Sequence, residues 1–483
     1  MSLTTKAFSG FSFIFLTTLI SRLAAMAGVI VLSRLLNPED FGLIATLYII
    51  FEISSFLISA GFGLVIIREK EISEADLATV FWFNLMMSFT LMFLIWISSP
   101  MIADFFNQPR LELVARIMSL NLVFSSFGLV QSSMFQRELN FKIVSLIPMF
   151  ASISSTIVAV VLAYSGFGHL SLAYKFIVGS FLTSLLYYWI RPWSPKFFIK
   201  TANFKRLFAF GGNVMLLGLV NTISRNLHQI VISKYFSISA LGYFNQGNNL
   251  KDSIIDTISE TTYKVSFPLL AKLQNDHERI KSAYRRILGI TSYAIFPTIV
   301  LLIITAKPLI IVLLGVKWLE TVFYFQIFLI SGGIKHIHKM NLNILKVFGK
   351  GKDYLMQGVF RNIMVIFFIL VSLRFGPKGV AIGLICADFM QIFINIYFSN
   401  KHLKFSLFDQ LTTMLPIIIL NGFILLIGVL IVENVSFSDV ATLLIVPPIL
   451  LIIYLALSHL FSLKAYLELK EMIGHRFSST LIK

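Results

Sequence analysis

Apolar residues run through this chain in blocks of about twenty, each closed by a few polar positions, and the rhythm recurs from residue 11 to residue 461. A helix rising 1.5 Å per residue needs about 20 residues to cross a hydrocarbon core of ~30 Å, so each block predicts one membrane-spanning helix. The pattern predicts fourteen, over about 11–32, 43–63, 79–100, 112–134, 143–164, 169–190, 207–232, 241–265, 287–306, 319–345, 354–373, 379–399, 411–432 and 440–461. Stretches such as 300–312 and 417–432 are apolar nearly throughout, whereas the strands of a membrane barrel would alternate polar and apolar. The expected fold class is all-α, a polytopic membrane protein.

Composition points the same way. Of 483 residues 57% are hydrophobic and 13% charged, and the mean hydropathy is +0.85, so the solvent for most of the surface is lipid. The links between blocks are short, and the longest polar tail is 462–483, so no sizeable extramembrane domain is expected. The first block is too long for the apolar core of a cleavable signal and lacks a small-x-small cleavage site; it is expected to stay as an anchor. The single cysteine, Cys386, falls inside a predicted span, which excludes a disulfide within the chain and suits a small buried hydrophobe.

The net charge is +17, and its distribution matters more than its size. With both termini in the cytoplasm, the inner segments hold 24 of the 40 basic residues and the outer loops hold seven. That asymmetry predicts an even number of spans in the cytoplasmic membrane with both ends inside. The charge is then topological, and no nucleic-acid partner is implied.

Laid over itself at an offset of 200, the chain matches Ile30, Val31, Ser33, Arg34 and Gly42 to Ile230, Val231, Ser233, Lys234 and Gly242. At an offset of 208, Phe167, Gly168 and Ala173 fall on Phe375, Gly376 and Ala381. Six helices separate the equivalents, so the halves share one topology. Two six-helix lobes are expected, 1–206 and 207–408, with two further helices and a short tail in 409–483. Repeats of this kind place a transport site between two rocking halves.

Nine basic residues remain inside spans: Arg22, Arg116, Lys175, Arg225, Lys251, Lys264, Lys335, Lys339 and Arg361. A charge at mid-bilayer costs roughly 2.5–3.5 kcal/mol, so each should face a partner, the bundle interior or a wet cavity. Asn221, Arg225 and His228 form one helical stripe, as do Asp388, Gln391 and Asn395, while Gln357 precedes Arg361 by four residues. Lys335, His338 and Lys339 share a face, with His336 beside them as polar lining. The block 241–265 is amphipathic: Asn245, Asn249, Asp252, Asp256 and Ser259 would line a cleft, or Asp256 and Glu260 would pair with Lys264 and Lys251. The five intramembrane acids are Glu52, Asp252, Asp256, Glu260 and Asp388, leaving an excess of four positive charges. Such a cavity suits an anion, and arginine is shaped to hold phosphate. The expected cargo contacts are Arg22, Arg225, Lys335, Lys339, Arg361 and Arg116. Asp388, Asp256 and Glu52 are expected to carry a coupled ion. For Arg22 the competing expectation is a structural pair with Glu52, and for Arg116 it is snorkelling to the headgroups.

The chain has no nucleotide-binding glycine loop with its lysine, no carboxylate pair in an external domain and no metal-ligand constellation. No enzyme activity, cofactor or metal is expected.

The segments SRLLNPEDFGLIA (33–45), AGFGLVIIR (60–68), DLATVFWFNL (76–85), QRELNFK (136–142), SGFGHLSLAYK (165–175), ALGYFNQ (240–246) and FPLLAKLQND (267–276) occur in this order and spacing. In them the chain resembles the Wzx-type polysaccharide flippases of the multidrug/oligosaccharidyl-lipid/polysaccharide exporter superfamily, nearest the colanic and teichuronic acid exporter branch. The resemblance implies a fourteen-helix, two-lobed transporter that moves undecaprenyl-diphosphate-linked oligosaccharide to the outer leaflet by alternating access. It also implies coupling to H+ or Na+, contact with membrane lipid, and other polysaccharide assembly proteins as partners. The rival readings are a small-molecule exporter of the same fold and a flippase for a lipid-linked peptidoglycan precursor.

Overall fold

A computed structural model describes residues 3–197, 200–435 and 437–471, without the side chains of 3–15 and 265. The side chain of Lys6, and residues Arg476 and Lys483, counted above as inner charges, lie outside the described residues. Among the described residues every regular element is helical, and the chain is a polytopic helical membrane protein. Eleven stretches are long and apolar enough to cross a bilayer. One of them, Gly351–Leu403, is two helices joined by the single 3-10 turn Leu373–Phe375. Two other long helical runs, 238–272 and Thr321–Val347, are more polar and are not among the eleven.

The chain divides into two compact units, Met1–Gly242 and Tyr243–Lys483. In the first lie α1 (Leu3–Leu35), α2 (Pro38–Ser59), α3 (Phe62–Arg68), α4 (Glu74–Phe105), α5 (Arg110–Arg137), α6 (Phe141–Tyr164), α7 (His169–Ile190) and α8 (Thr201–Tyr235), with the start of α9 (Ile238–Lys251). Here α4 packs on α5, α5 on α7, α1 on α6, and α8 on α2, α3 and α4. The second unit holds the rest of α9, then α10 (Thr257–Lys272), α11 (His277–Ile304), α12 (Ala306–Leu313), α13 (Thr321–Val347), α14 (Gly351–Ser372), α15 (Gly376–Leu403), α16 (Leu407–Asn434) and α17 (Asp439–Leu460). There α15 packs on α13 and α14, and α16 on α11 and α17. The repeat boundary expected at 206/207 reflects sequence equivalence, and the division after Gly242 reflects packing.

The helices start where the sequence supplies caps. Asn37 precedes Pro38 and forms a capping box with Asp40, and Ser73 with Asp76 and Ser406 with Asp409 do the same for α4 and α16. The turn between α2 and α3 is left-handed at Ala60 and Gly61, with φ of 44° and 71°. A side-chain carbon at Gly61 would stand 2.3 Å from the Gly211 carbonyl oxygen on α8, so only glycine permits this corner to approach α8. The short helix α3 ends under Arg137, whose guanidinium donates to the carbonyls of Ile66 (2.6 Å), Glu69 and Lys70 (2.7 Å). Two of the resembling segments, 60–68 and 136–142, thus meet through one arginine.

Lipid is as apolar as leucine, so helices associate through close packing and hydrogen bonds rather than hydrophobic burial alone. Ser184 of α7 is an example: it packs where a side-chain carbon at Gly128 of α5 would be 2.9 Å from its Oγ, and it donates 2.6 Å to the Phe124 carbonyl. The helices extend several residues beyond most predicted spans because a helix continues into the headgroup layer after its apolar run ends. The hydropathy rhythm did not predict α3, α12 or the helical segment 464–471.

Candidate functional site: membrane carboxylates and their cations

In the first unit the intramembrane acid is Glu52 on α2, 15% exposed. From α8 the Arg225 guanidinium donates to Glu52 Oε1, and Asn226 donates to Oε2 over 2.6 Å. Adjacent residues of one helix diverge by about 100°, so Arg225 and Asn226 reach the carboxylate from two directions. The sequence stripe Asn221, Arg225, His228 is the open face of α8: Asn221 and Arg225 are exposed and His228 is half-buried. A second polar stripe is buried, Thr222, Asn226, Gln229 and Ser233. Within it Asn226 also donates to the Thr222 carbonyl and accepts from Gln229 at 3.3 Å. Glu52 sits where this buried stripe meets the exposed arginine.

In the second unit the helix 238–272 widens to a π-turn at Asp252–Asp256. Residues five apart on an α-helix point about 140° away from each other, but the wider turn lets Lys251 reach Asp256, Nζ to Oδ2 at 3.3 Å. Lys251 also binds Asp252, is 1% exposed, and has its stem 3.3 Å from where a side-chain carbon at Gly332 of α13 would sit. Lys339 of α13 closes the chain of charges on Asp256 Oδ1 at 3.1 Å. Two lysines and two aspartates alternate, and Asn248 holds the free end, donating 2.9 Å to Asp252.

The third acid, Asp388 of α15, faces α13. Its carboxylate accepts from Ser331 and lies 3.7 Å from Lys335 Nζ. Its backbone carbonyl is 2.9 Å from His338 Nε2, and His338 Nδ1 is 2.8 Å from Asn395 Nδ2. An amide nitrogen can only donate, so Nδ1 accepts and the ring proton is on Nε2, which donates to the Asp388 carbonyl. Asp388, Gln391 and Asn395, the sequence stripe, are all buried against α13.

Three expected coupling acids therefore each meet an expected cargo cation: Glu52 meets Arg225, Asp256 meets Lys339, and Asp388 meets Lys335. Arg22 is half-buried on α1. Arg361 is half-buried on α14, with Nη2 3.4 Å from Asn362 Oδ1. Arg116 of α5 is half-buried against α4, paired with Glu112 at 2.7 Å, donating 2.8 Å to Ser99, and over the Trp96 ring. The histidines depart from the expectation of polar lining. His336 is 1% exposed, between Ser292 at 3.0 Å and the Gly333 carbonyl, and His338 is 5% exposed. Both rings are packed into the α13 seams. Sequence reasoning also missed Asn226, although its stripe at i, i+4, i+7 and i+11 was available, and Ser331, one turn from Lys335.

The geometry is that of cations paired with carboxylates, on helices that also carry buried amides and hydroxyls. The family described as "Polysaccharide biosynthesis protein" matches residues 31–323. Among curated relatives, the chain is 24% identical to the teichuronic acid biosynthesis protein TuaB of Bacillus subtilis (strain 168), over 62% of each chain. It is 22% identical to the lipopolysaccharide biosynthesis protein WzxC of Escherichia coli (strain K12), over 85% of this chain and 84% of that one. Thus the match spans about six tenths of the Bacillus protein's length and most of the Escherichia protein's. In fold it is similar to the lipid II flippase MurJ in an inward closed conformation, with TM-score 0.76 and 18% identity, covering 93% of this chain and 98% of that chain. An inward-facing multidrug resistance transporter of the MATE family gives TM-score 0.59 at 17% identity, over 80% and 94%.

Proposed function

The chain belongs to the polysaccharide biosynthesis protein family, and from that premise we propose that it moves undecaprenyl-diphosphate-linked oligosaccharide repeat units across the bacterial cytoplasmic membrane for surface polysaccharide assembly. Movement is by alternating access of the two repeat-related lobes, 1–206 and 207–408, with 409–483 trailing and both termini in the cytoplasm. Membrane lipid holds the polyprenyl tail, and other polysaccharide assembly proteins make and consume the cargo.

The observation that carries the reading is the pairing of Glu52, Asp256 and Asp388 with Arg225, Lys339 and Lys335. A cation in lipid needs a counter-charge at all times. Between cargo loads the carboxylate supplies it. When the diphosphate arrives it takes over the cation, since phosphate oxygens accept strong charge-assisted bonds from Arg and Lys. The displaced carboxylate then lacks the cation that balanced it, and it regains that balance by binding H+ or Na+. Cargo and ion thus compete for one set of charges, which couples them. Arg22 and Arg361 extend the cationic set, and Arg116, held by Glu112 and Ser99, serves the α4–α5 packing.

The test is deletion of the gene followed by lipid extraction and complementation. Lipid-linked repeat units accumulate on the cytoplasmic side in the deletion strain, and the native chain clears them. Arg225→Ala and Lys339→Ala proteins reach the membrane in normal amount and fail to clear them. An unchanged lipid profile on deletion overturns the reading.

A further inference from the structure

At one end of the second unit α11, α16 and the segment after α17 enclose a cavity of about 670 Å³. Its rim carries Arg285 and Arg286 from α11 and Lys464 from the helical stretch 464–471. The helix α11 has 28 residues, a length of ~42 Å against a ~30 Å hydrocarbon core. The excess of about 12 Å corresponds to eight residues; taken at the N-terminal end they are 277–284, and Arg285 and Arg286 follow at the boundary between core and headgroups. The loop charges assign this end to the cytoplasmic side.

Each arginine makes one long ion pair and keeps donors to spare, and with Glu468 also in the lining the three cations leave the cavity a net charge of +2. Arg285 is 3.7 Å from Asp409 and Arg286 is 3.8 Å from Glu468, both beyond hydrogen-bond length, with about half of each arginine side chain exposed. The Phe405 ring, 5.3 Å from the Arg285 guanidinium, supports that side chain. Lys464 has no ion pair among the described residues. On α16 the face of the cavity-lining Thr412 and Pro416 continues at i+7 and i+11 into Ile419 and Phe423, both exposed, and Leu460 and Phe461 at the end of α17 are exposed as well. Residues Leu463, Tyr466 and Leu469 pack against the core of α11, α16 and α17, so the segment 464–471 lies docked with its lysine at the cavity, as an interfacial helix does.

A basic pocket between helices, continuous with a lipid-facing apolar strip, fits one class of ligand. We propose that this cavity binds the headgroup phosphate of an anionic phospholipid of the inner leaflet, with its acyl chains along α16 and α17. The site lies outside the cargo pairs and does not depend on the cargo's identity.

The experiment uses the purified full chain in a neutral detergent, with binding followed by native mass spectrometry and by thermal unfolding. The probes are dioctanoyl phosphatidylglycerol, dioctanoyl phosphatidylcholine, undecaprenyl phosphate and inorganic phosphate. Phosphatidylglycerol binds saturably and raises the unfolding temperature, while phosphatidylcholine and inorganic phosphate do not. Removing two interfacial cations in Arg286→Gln/Lys464→Gln weakens phosphatidylglycerol about tenfold or more, and Lys307→Gln, an outer-loop control, does not. Lys464→Gln alone, lacking an ion pair to break, preserves the test if the double variant does not fold. Equal binding of the two phospholipids, or unchanged binding in the variants, overturns the proposal. Equal binding of inorganic phosphate makes this a soluble-anion site, and tighter binding of undecaprenyl phosphate makes it a cargo site; either result overturns it as well.

Discussion

Gly42 and Gly242 each face the carbonyl at the start of the other's helix: a side-chain carbon at Gly42 would stand 2.0 Å from the Ile238 oxygen, and one at Gly242 would stand 2.0 Å from the Pro38 oxygen. The two glycines match at the offset of 200, as do Pro38 and Ile238, which begin α2 and α9, and Leu35 and Tyr235, which end α1 and α8. The contact is reciprocal because the two segments are repeats of each other.

That reciprocity gives a first prediction. Backbone faces backbone, so no side chain can rotate away, and Gly42→Ala and Gly242→Ala should each destabilise by about 1–3 kcal/mol through overpacking. The two costs should be similar. Gly358→Ala, where nothing lies within 4 Å, should stay within about 0.5 kcal/mol. Thermal unfolding of the purified protein measures all three, and a silent Gly42→Ala would contradict the close approach.

The pair Glu52 and Arg225 separates stability from transport. Arg225 is 66% exposed, so screening limits its contribution to folding to about 1 kcal/mol or less. Arg225→Ala should therefore leave the unfolding temperature nearly unchanged and abolish export. Glu52→Gln keeps a hydrogen-bonding group for Asn226 but removes the titratable acid. Export by Glu52→Gln should persist at a reduced level and lose its dependence on the ion gradient, read as cargo movement in vesicles with and without an imposed gradient. Full gradient dependence in Glu52→Gln would remove Glu52 from the coupling set.

How much of this was legible in the sequence depends on which element is asked about. The apolar block at 169–190 became α7 with the same bounds, because a run of that length in lipid has no other way to satisfy its backbone. The stripe Asn221, Arg225, His228 was legible as one face of α8, exposed at Asn221 and Arg225 and half-buried at His228. What the stripe did not contain was the partner. A helical wheel gives faces, but the helix opposite and its height are set by packing, and a slip of one residue moves a carboxylate by 1.5 Å and about 100°. The sequence offered Arg22 as an alternative structural partner for Glu52 and did not offer Arg225 or Asn226, which bind it. Lys251 shows a different limit: regular α spacing does not bring it to Asp256, and only the π-turn does. The segment 464–471 read as part of a polar tail because the apolar residues that dock it, Ala465, Tyr466 and Leu469 with Leu463 just before it, are too few to span a membrane.

Arg137 tests the structural side of the resembling segments. Its guanidinium serves three carbonyls at the end of α3, a fan that a single ammonium cannot reproduce. Arg137→Lys should lower stability by about 2 kcal/mol, on the scale of one or two lost charge-assisted hydrogen bonds. Limited proteolysis should then cut within 69–73, after α3. Unchanged proteolysis in Arg137→Lys would show that α3 stands without this cap.

Lys251 supplies the sharpest distinction between a structural charge and a cargo contact. It is 1% exposed between Asp252 and Asp256, so Lys251→Met removes a buried cation and leaves two carboxylates facing each other. Breaking a buried pair from one side costs about 3–5 kcal/mol, and the protein should fall in abundance as well as in unfolding temperature. Neutralising the acids together, in Lys251→Met/Asp252→Asn/Asp256→Asn, removes the repulsion and should recover most of that stability, because an isosteric neutral set is often as stable as the ions it replaces. Export should not recover, since the acid that holds Lys339 is gone. Recovery of both stability and export in the triple variant would assign the whole Asp252–Lys251–Asp256 chain to structure and leave Asp388 and Glu52 as the remaining carriers of the coupled ion.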